Sequence, residues 1–193
     1  TILFLLLAFP AVSLAQPAEP VNLVANGDFS QATDGKPEKW ATSGSAADVS
    51  QTLTVEKDTD GKLFARLVCT RCDRRGGDSH AMLAQNGHVN LSKGRLYRFS
   101  GRLRATGLAS RTIGLAIQET TGWLPSGLFA EFTVSPAWQH HETMFCATRD
   151  VGPTGRLQIW FTEPGTLDVT DVKIVEVAMQ GIEFTDTIAP AGD

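Results

Sequence analysis

Apolar and polar residues take turns along most of this chain, and that rhythm restricts its fold more than any other feature. From Arg95 to Ala105, Tyr97, Phe99 and Leu103 share one parity, while Arg98, Ser100, Arg102 and Arg104 share the other. Leu157, Ile159 and Phe161 likewise alternate with Arg156, Gln158, Trp160 and Thr162, and Ile113, Leu115 and Ile117 with Gly114, Ala116 and Gln118. Successive side chains of a strand point to opposite faces, so a period of two gives one greasy face and one wet face. No segment carries the three-to-four-residue stripe of an amphipathic helix. Ten strands are expected, near 22–25, 50–57, 63–69, 80–91, 95–105, 112–120, 128–135, 138–147, 155–163 and 166–177. Many short half-apolar strands bury their faces only against a second sheet, so the expected fold is all-β, a jelly-roll β-sandwich of two antiparallel sheets. The phase changes at Asp171, which predicts a bulge in the last strand.

The ends read differently. Ile2 to Val12 are almost wholly apolar, and Ser13-Leu14-Ala15 follows with small residues suited to cleavage after Ala15. Residues 1–15 are therefore expected to be a secretory signal peptide. No Lys or Arg precedes Lys36 and the chain starts at Thr1, so this leader is expected to be incomplete at its N-terminus. Residues 16–20 read as a spacer, 21–178 as the sandwich, and 179–193 as a linker into an unseen downstream domain. The expected location is secreted or extracytoplasmic. With 17 Lys+Arg against 21 Asp+Glu, the chain has a net charge of −4, which argues against nucleic acid as a partner. It also lacks the roughly 18 consecutive apolar residues of a membrane span.

Secretion permits disulfides. The three cysteines, Cys69, Cys72 and Cys146, leave at least one thiol unpaired within the chain. Cys69-Thr-Arg-Cys72 has the two-residue gap of zinc and redox sites, but no second such pair completes a zinc site. A local disulfide and buried thiols are the two readings that remain.

Several segments, taken in order, carry a family resemblance. Val21–Ser30 (VNLVANGDFS) is followed by Lys36-Pro37-Glu38-Lys39-Trp40; Gly94–Ala105 (GRLYRFSGRLRA) comes next, then Ala137-Trp138, then Leu167–Val172 (LDVTDV). This series resembles the galactose-binding-like carbohydrate-binding modules of secreted glycoside hydrolases, in the group that binds xylan, β-glucan or cellulose. The resemblance spans about residues 21–178. It implies a non-catalytic module that holds a covalently linked catalytic domain near a polysaccharide. It also implies that Trp40 and Trp138 pack inside. Many members hold a structural calcium near paired acids, which would place Asp28 and Asp171 at a metal. This chain has Ser30 and Thr170 where acids are frequent, and calcium wants six to eight oxygens. The competing reading has Asp28 capping a turn and Asp171 in a bulge.

A polysaccharide offers apolar ring faces and many hydroxyls, so it is held by stacked aromatic rings and planar hydrogen-bonding side chains. Trp160 shares its polar face with Arg156 and Gln158, and Trp123 lies in the Thr120–Pro125 turn region. Gln118 precedes that turn, beside small Gly114 and Ala116, which would let a flat ligand approach. The expected carbohydrate-binding residues are thus Trp160, Trp123, Gln158, Gln118 and Arg156, with edge packing as the alternative for the two indoles. Arg98, Arg102 and Arg104 line another wet face, either to take acidic sugars or to pair with neighbouring acids. In His140-His141-Glu142, His140 and Glu142 share a face and His141 does not, so no metal spacing arises. Asn90-Leu91-Ser92 is a glycosylation sequon, relevant in a eukaryotic secretory host. Two other functions compete: a structural spacer without ligand, and a polysaccharide lyase. The lyase would need a catalytic Tyr, but the lone Tyr97 has core parity.

Overall fold

A computed structural model describes residues 20–73 and 79–177. The expected leader, nearly all of the spacer and the C-terminal linker lie outside these residues. Twelve strands follow in chain order: β1 (Ala32–Thr33), β2 (Lys36–Pro37), β3 (Ala41–Ser43), β4 (Val49–Lys57), β5 (Leu63–Cys72), β6 (Ala81–Asn86), β7 (Leu96–Thr106), β8 (Thr112–Glu119), β9 (Leu124–Thr133), β10 (Gln139–Cys146), β11 (Gly155–Phe161) and β12 (Gly165–Glu176). Strands β1 and β2 form a small hairpin. The other ten make two five-stranded antiparallel sheets. The back sheet has the order β10-β7-β12-β5-β4, and the front sheet β3-β6-β11-β8-β9. The described residues thus form the expected all-β sandwich, and they include no helix that could cross a membrane.

The alternating parity sets the core. Tyr97, Phe99 and Leu103 from the back sheet meet Ile113, Leu115, Ile117, Leu157, Ile159 and Phe161 from the front sheet, all almost fully buried. Burying one such side chain stabilises the fold by roughly 1.5–3 kcal/mol, so a one-residue slip in any central strand would forfeit several. The expected bulge is present: register shifts between Thr170 and Lys173, and Asp171 has φ 56°. The first expected strand, 22–25, is not one. Asn22 Oδ1 instead accepts from the amides of Val24 and Ile174, and the Leu23 amide donates to Ile174. A side chain there does part of what a ladder would do. Gln85, fully buried in the front sheet, exchanges two hydrogen bonds with the Ala25 backbone and ties this segment down.

Trp40 is buried, as the resemblance implies, and its Nε1 donates to the carbonyls of Ala25 and Asn26. Trp138 is a correction. It is only half-buried, on the outer side of the back sheet, edge-on to Phe64 at 5.5 Å between centroids. Its Nε1 donates to Asp58, and the Arg104 guanidinium lies 4.4 Å from its ring centre. The Thr59 amide first, and then this indole, hold the Asp58 carboxyl below its usual range. Ala137-Trp138 precedes β10 by one residue, where strand parity no longer fixes a side chain.

The arginines on this face are mostly paired. Asp168, 4% exposed, accepts from Arg66 Nε and Nη2 at 2.8 and 2.9 Å and from Arg104 Nε at 2.8 Å. This carboxylate joins β5, β12 and β7 side by side. Arg71 pairs with Asp73 in the neighbouring loop, and Arg74, Arg75 and Asp78 lie outside the described residues. Cys69 and Cys72 sit at one end of the core; the first thiol donates to the Arg71 carbonyl and the second to that of Ser79. Burial, then the Cys72 thiol, push the Cys69 thiol above its ordinary value. Cys146 is exposed on β10.

Two of the buried groups, one on each face of the back sheet, can be tested. Asp168→Ala strips two guanidiniums of a shared counter-ion, and should lower the unfolding free energy by about 3 kcal/mol, read as a fall in the urea midpoint. His141 is the second case. It faces the interior beside Phe132, with a buried Nε2 that has no partner, and burial first, then His140, depress its pKa. The unfolded chain therefore binds the proton more readily. Stability should be intact above about pH 6.5 and fall as pH drops below that value. His141→Leu should flatten this dependence in melts between pH 8 and 5.

Candidate functional site

Strand β11 runs through the middle of the front sheet, between β6 and β8. Its inward residues are locked in the core, so Arg156, Gln158 and Trp160 must face outward. Antiparallel register then fixes their neighbours. Arg156 lies opposite Gln118, Gln158 opposite Ala116, and Trp160 opposite Gly114 on β8. One open depression, with roughly 350 Å³ of solvent space, is lined by Gln118, Trp123, Arg156, Gln158 and Trp160, together with His80 and Phe129. All five residues expected from the sequence to hold carbohydrate thus meet at one surface. Its size is at the low end for ligand pockets, and it opens broadly to solvent.

The floor is a chain of hydrogen bonds. Arg156 Nε donates to Gln158 Oε1 at 2.8 Å, and Gln158 Nε2 donates to Gln118 Oε1 at 3.0 Å. Arg156 Nη1 also donates to Ser43 Oγ at 3.2 Å, which reaches β3 at the far edge of the sheet. Gln158 is 4% exposed despite its outward parity. Its role in the structure is therefore to hold Arg156 and Gln118 in place beneath the surface.

The walls are aromatic. The Trp160 indole leans across β8 onto Gly114, where an added Cβ would meet its ring atoms at 2.3 Å. This revises the expected use of that glycine: the space it leaves is filled by Trp160, not by a ligand. Phe129 and His80 flank the indole, with ring centroids at 5.9 and 6.3 Å. Trp123 rests on the Arg156 guanidinium, 4.5 Å from its ring centre, with more than half of its surface open.

Two backbone devices place these rings. The turn after β8 is held by Glu119, whose carboxylate accepts from the amides of Thr121 and Gly122 at 2.8 and 2.9 Å. Hydrogen bonds from Thr121 and Gly122 depress the Glu119 pKa to about 2, so the clamp stays ionised above that pH. Trp123 closes the turn with φ 56°, an unusual conformation for a bulky residue. In β9, the register to β8 shifts between Ala116 and Gln118, a bulge that contains Gly127 at φ 106°. A Cβ there would strike the Cys146 carbonyl oxygen at 2.0 Å, so only glycine lets β9 approach β10. Beyond the bulge, Phe129 points outward and is 67% exposed. Sequence reasoning missed Phe129 and His80. An exposed Phe among alternating residues was the available signal; His80 sits just before β6, where parity gives no guide.

The expected calcium ligands are occupied otherwise. Asp28 Oδ1 accepts from the amide and hydroxyl of Ser30, which is turn capping. The Asp171 carboxylate is paired with Lys62. The nearby side-chain oxygens of Asn22 and Asn26 also accept backbone amides. Among the described residues no group of three or more His, Cys, Asp or Glu could hold a metal. Lys62 thus takes up one of the two carboxylates that the resemblance offers to calcium, an ion that accepts carbonyl as well as carboxylate oxygens.

No known family profile matches the sequence, and no curated protein matches it. Solved structures do. The arabinose-bound MgGH51 α-L-arabinofuranosidase aligns with a TM-score of 0.61 and 12% identity, over 80% of this chain and 26% of that one. The chain therefore spans about a quarter of that enzyme. The N-terminal cellulose-binding domain of Cellulomonas fimi β-1,4-glucanase C aligns with a TM-score of 0.52 and 15% identity, over 75% of this chain and 93% of that one. The CBM22-1 xylan-binding domain of Paenibacillus barcinonensis Xyn10C gives a TM-score of 0.52 and 12% identity, covering 82% and 96%. The two-sheet fold is thus one that this chain shares with a cellulose-binding domain, a xylan-binding domain and part of an arabinofuranosidase. At these identities the likeness speaks for architecture, and the side chains of the groove must carry the rest of the case.

Gly114→Ala tests the geometry without any ligand. The new methyl should drive Trp160 off its seat, shifting tryptophan emission to longer wavelength, while far-ultraviolet dichroism keeps its β signature. Unchanged emission would show that the indole does not lie on Gly114.

Proposed function

We propose that this chain is a non-catalytic carbohydrate-binding module that lays a polysaccharide across the front sheet. The observation that carries this reading is the set of outward rings, Trp160, Trp123 and Phe129, around a floor of hydrogen-bonded planar side chains. Sugar rings present C–H faces to aromatics and hydroxyls to amides and guanidinium groups, so this pairing of surfaces suits them. The affinity expected is modest, because an open groove exchanges sugar–water for sugar–protein hydrogen bonds. In this reading the module is secreted behind its apolar leader. Its linker joins it to a larger glycoside hydrolase or related enzyme, whose local substrate concentration it raises. The shared fold with a cellulose-binding and a xylan-binding domain supports the same assignment.

The lyase alternative has less support. Tyr97 is 2% exposed, and its hydroxyl oxygen accepts from the Ser92 amide inside the fold, so it is not offered to a substrate. His140 and Glu142 share an exposed face on β10, away from the groove residues. A spacer that binds nothing would not need two open rings beside a half-buried indole and a hydrogen-bonded floor.

Native gels containing soluble xylan, β-glucan or a modified cellulose test the proposal. The protein should be retarded by at least one of them. Trp160→Ala and Trp123→Ala should each weaken that retardation about tenfold or more, the loss typical of an aromatic anchor, with unfolding midpoints little changed. Full retardation in both variants would remove this surface as the binding platform.

A further inference from the structure

Two cysteines converge on one strand in a way that their spacing along the chain does not suggest. We infer that Cys69 and Cys72 form a disulfide across a bulge in β5, made by exchange with a disulfide-bearing oxidant such as oxidised glutathione. Residues three apart on a regular strand point to opposite faces and lie about 10 Å apart. Here the register to β4 slips: Ser50 is opposite Arg71 and Gln51 opposite Cys69, so Thr70 is the extra residue. Thr70 and Arg71 are both exposed, one after the other, which is the mark of that bulge. Cys72 lies opposite Val49, and Val49 is in the core. Paired residues of antiparallel strands share a face, so both cysteines turn inward, and both pack with the core cluster.

The bulge also shortens the gap. Cys69 and Cys72 stand opposite Gln51 and Val49, so their Cα atoms are separated by about two residues of strand rise, roughly 6.6 Å. That is within the range a disulfide spans. The Cys69 thiol donates to the Arg71 carbonyl at 3.2 Å, which leans it along the strand toward Cys72, and Cys72 is among its hydrogen-bonding neighbours. Cys146 is no competitor. Its strand, β10, is three places from β5 in the back sheet, about 14 Å away and out of reach. Burial, and then Cys72, keep the Cys69 thiol protonated, so the half-buried Cys72 is the first nucleophile. Its thiolate attacks the oxidant's S–S bond and releases one oxidant thiol. Cys69, giving up its proton, then attacks Cys72 Sγ and expels the second. Two protein thiols are oxidised, and one oxidant disulfide is reduced to two thiols. The bond would fix the bulge beside Gln51, whose side chain reaches the Ser43 carbonyl and the Met82 amide on the front sheet.

The 193-residue chain carrying Cys146→Ser isolates the pair. Held folded in a buffer of reduced and oxidised glutathione, it should lose both thiols and become lighter by two hydrogens, with no glutathione retained. Trypsin cuts after Arg71, so the bond should appear as two short peptides that part on reduction. The equilibrium constant against glutathione should be about tenfold or more higher in the folded protein than in urea, because the fold holds the two sulfurs together. The oxidised form should then unfold at higher urea than the reduced form, and Cys69→Ser or Cys72→Ser should erase that difference. A glutathione adduct that stops on Cys72, two intact thiols, or the same constant in the folded and unfolded chains would overturn the inference.

Discussion

Two faces of one strand cannot be reassigned independently. Because Leu157, Ile159 and Phe161 are sealed in the core, Arg156, Gln158 and Trp160 have no direction but outward. Strand β11 sits at the centre of its sheet, with neighbours on both sides, so no local adjustment can turn one of these residues without breaking two ladders. The apolar side of β11 stabilises the protein, and the same burial aims the chemistry. A groove placed on such a strand is rigid at little extra conformational cost, which suits the binding role proposed for it.

Around that axis the two sheets have divided their polar work. On the back sheet, acids and arginines neutralise one another: Asp168 bridges Arg66 and Arg104, Asp58 takes the Trp138 N–H, and Lys62 meets Asp171. On the front sheet, hydrogen bonds among Arg156, Gln158 and Gln118 organise the floor. Exposed rings are likewise unequal. The back-sheet indole is capped by cations and bound through its nitrogen, whereas Trp123 and Phe129 stand open.

How much of this was legible beforehand depended on parity. Trp160, Gln158, Arg156 and Gln118 were readable because strand alternation is rigid, and each lies within a ladder whose inward partners are plainly apolar. Trp123 was readable as an indole in a turn region. Trp138 was misread because it precedes β10, where nothing in the local pattern sets its side. Phe129 shares the parity of Glu131 and Thr133, so alternation did place it outward; a large apolar residue on the wet side of a strand was the signal left unused. The short strands β1, β2 and β3 carry too few residues to show a period at all.

Alternation along the chain was enough to specify the two-layer β architecture and which residues of each long strand face water, because side-chain direction along an extended chain is a local property. Only the packed chain settles that Trp160 rests on Gly114, that Trp123 folds over Arg156, and that Asp171 meets Lys62. Those contacts join residues far apart in the chain, and their partners are chosen by register, bulges and turn geometry. None of these leaves a periodic mark that composition or spacing could reveal.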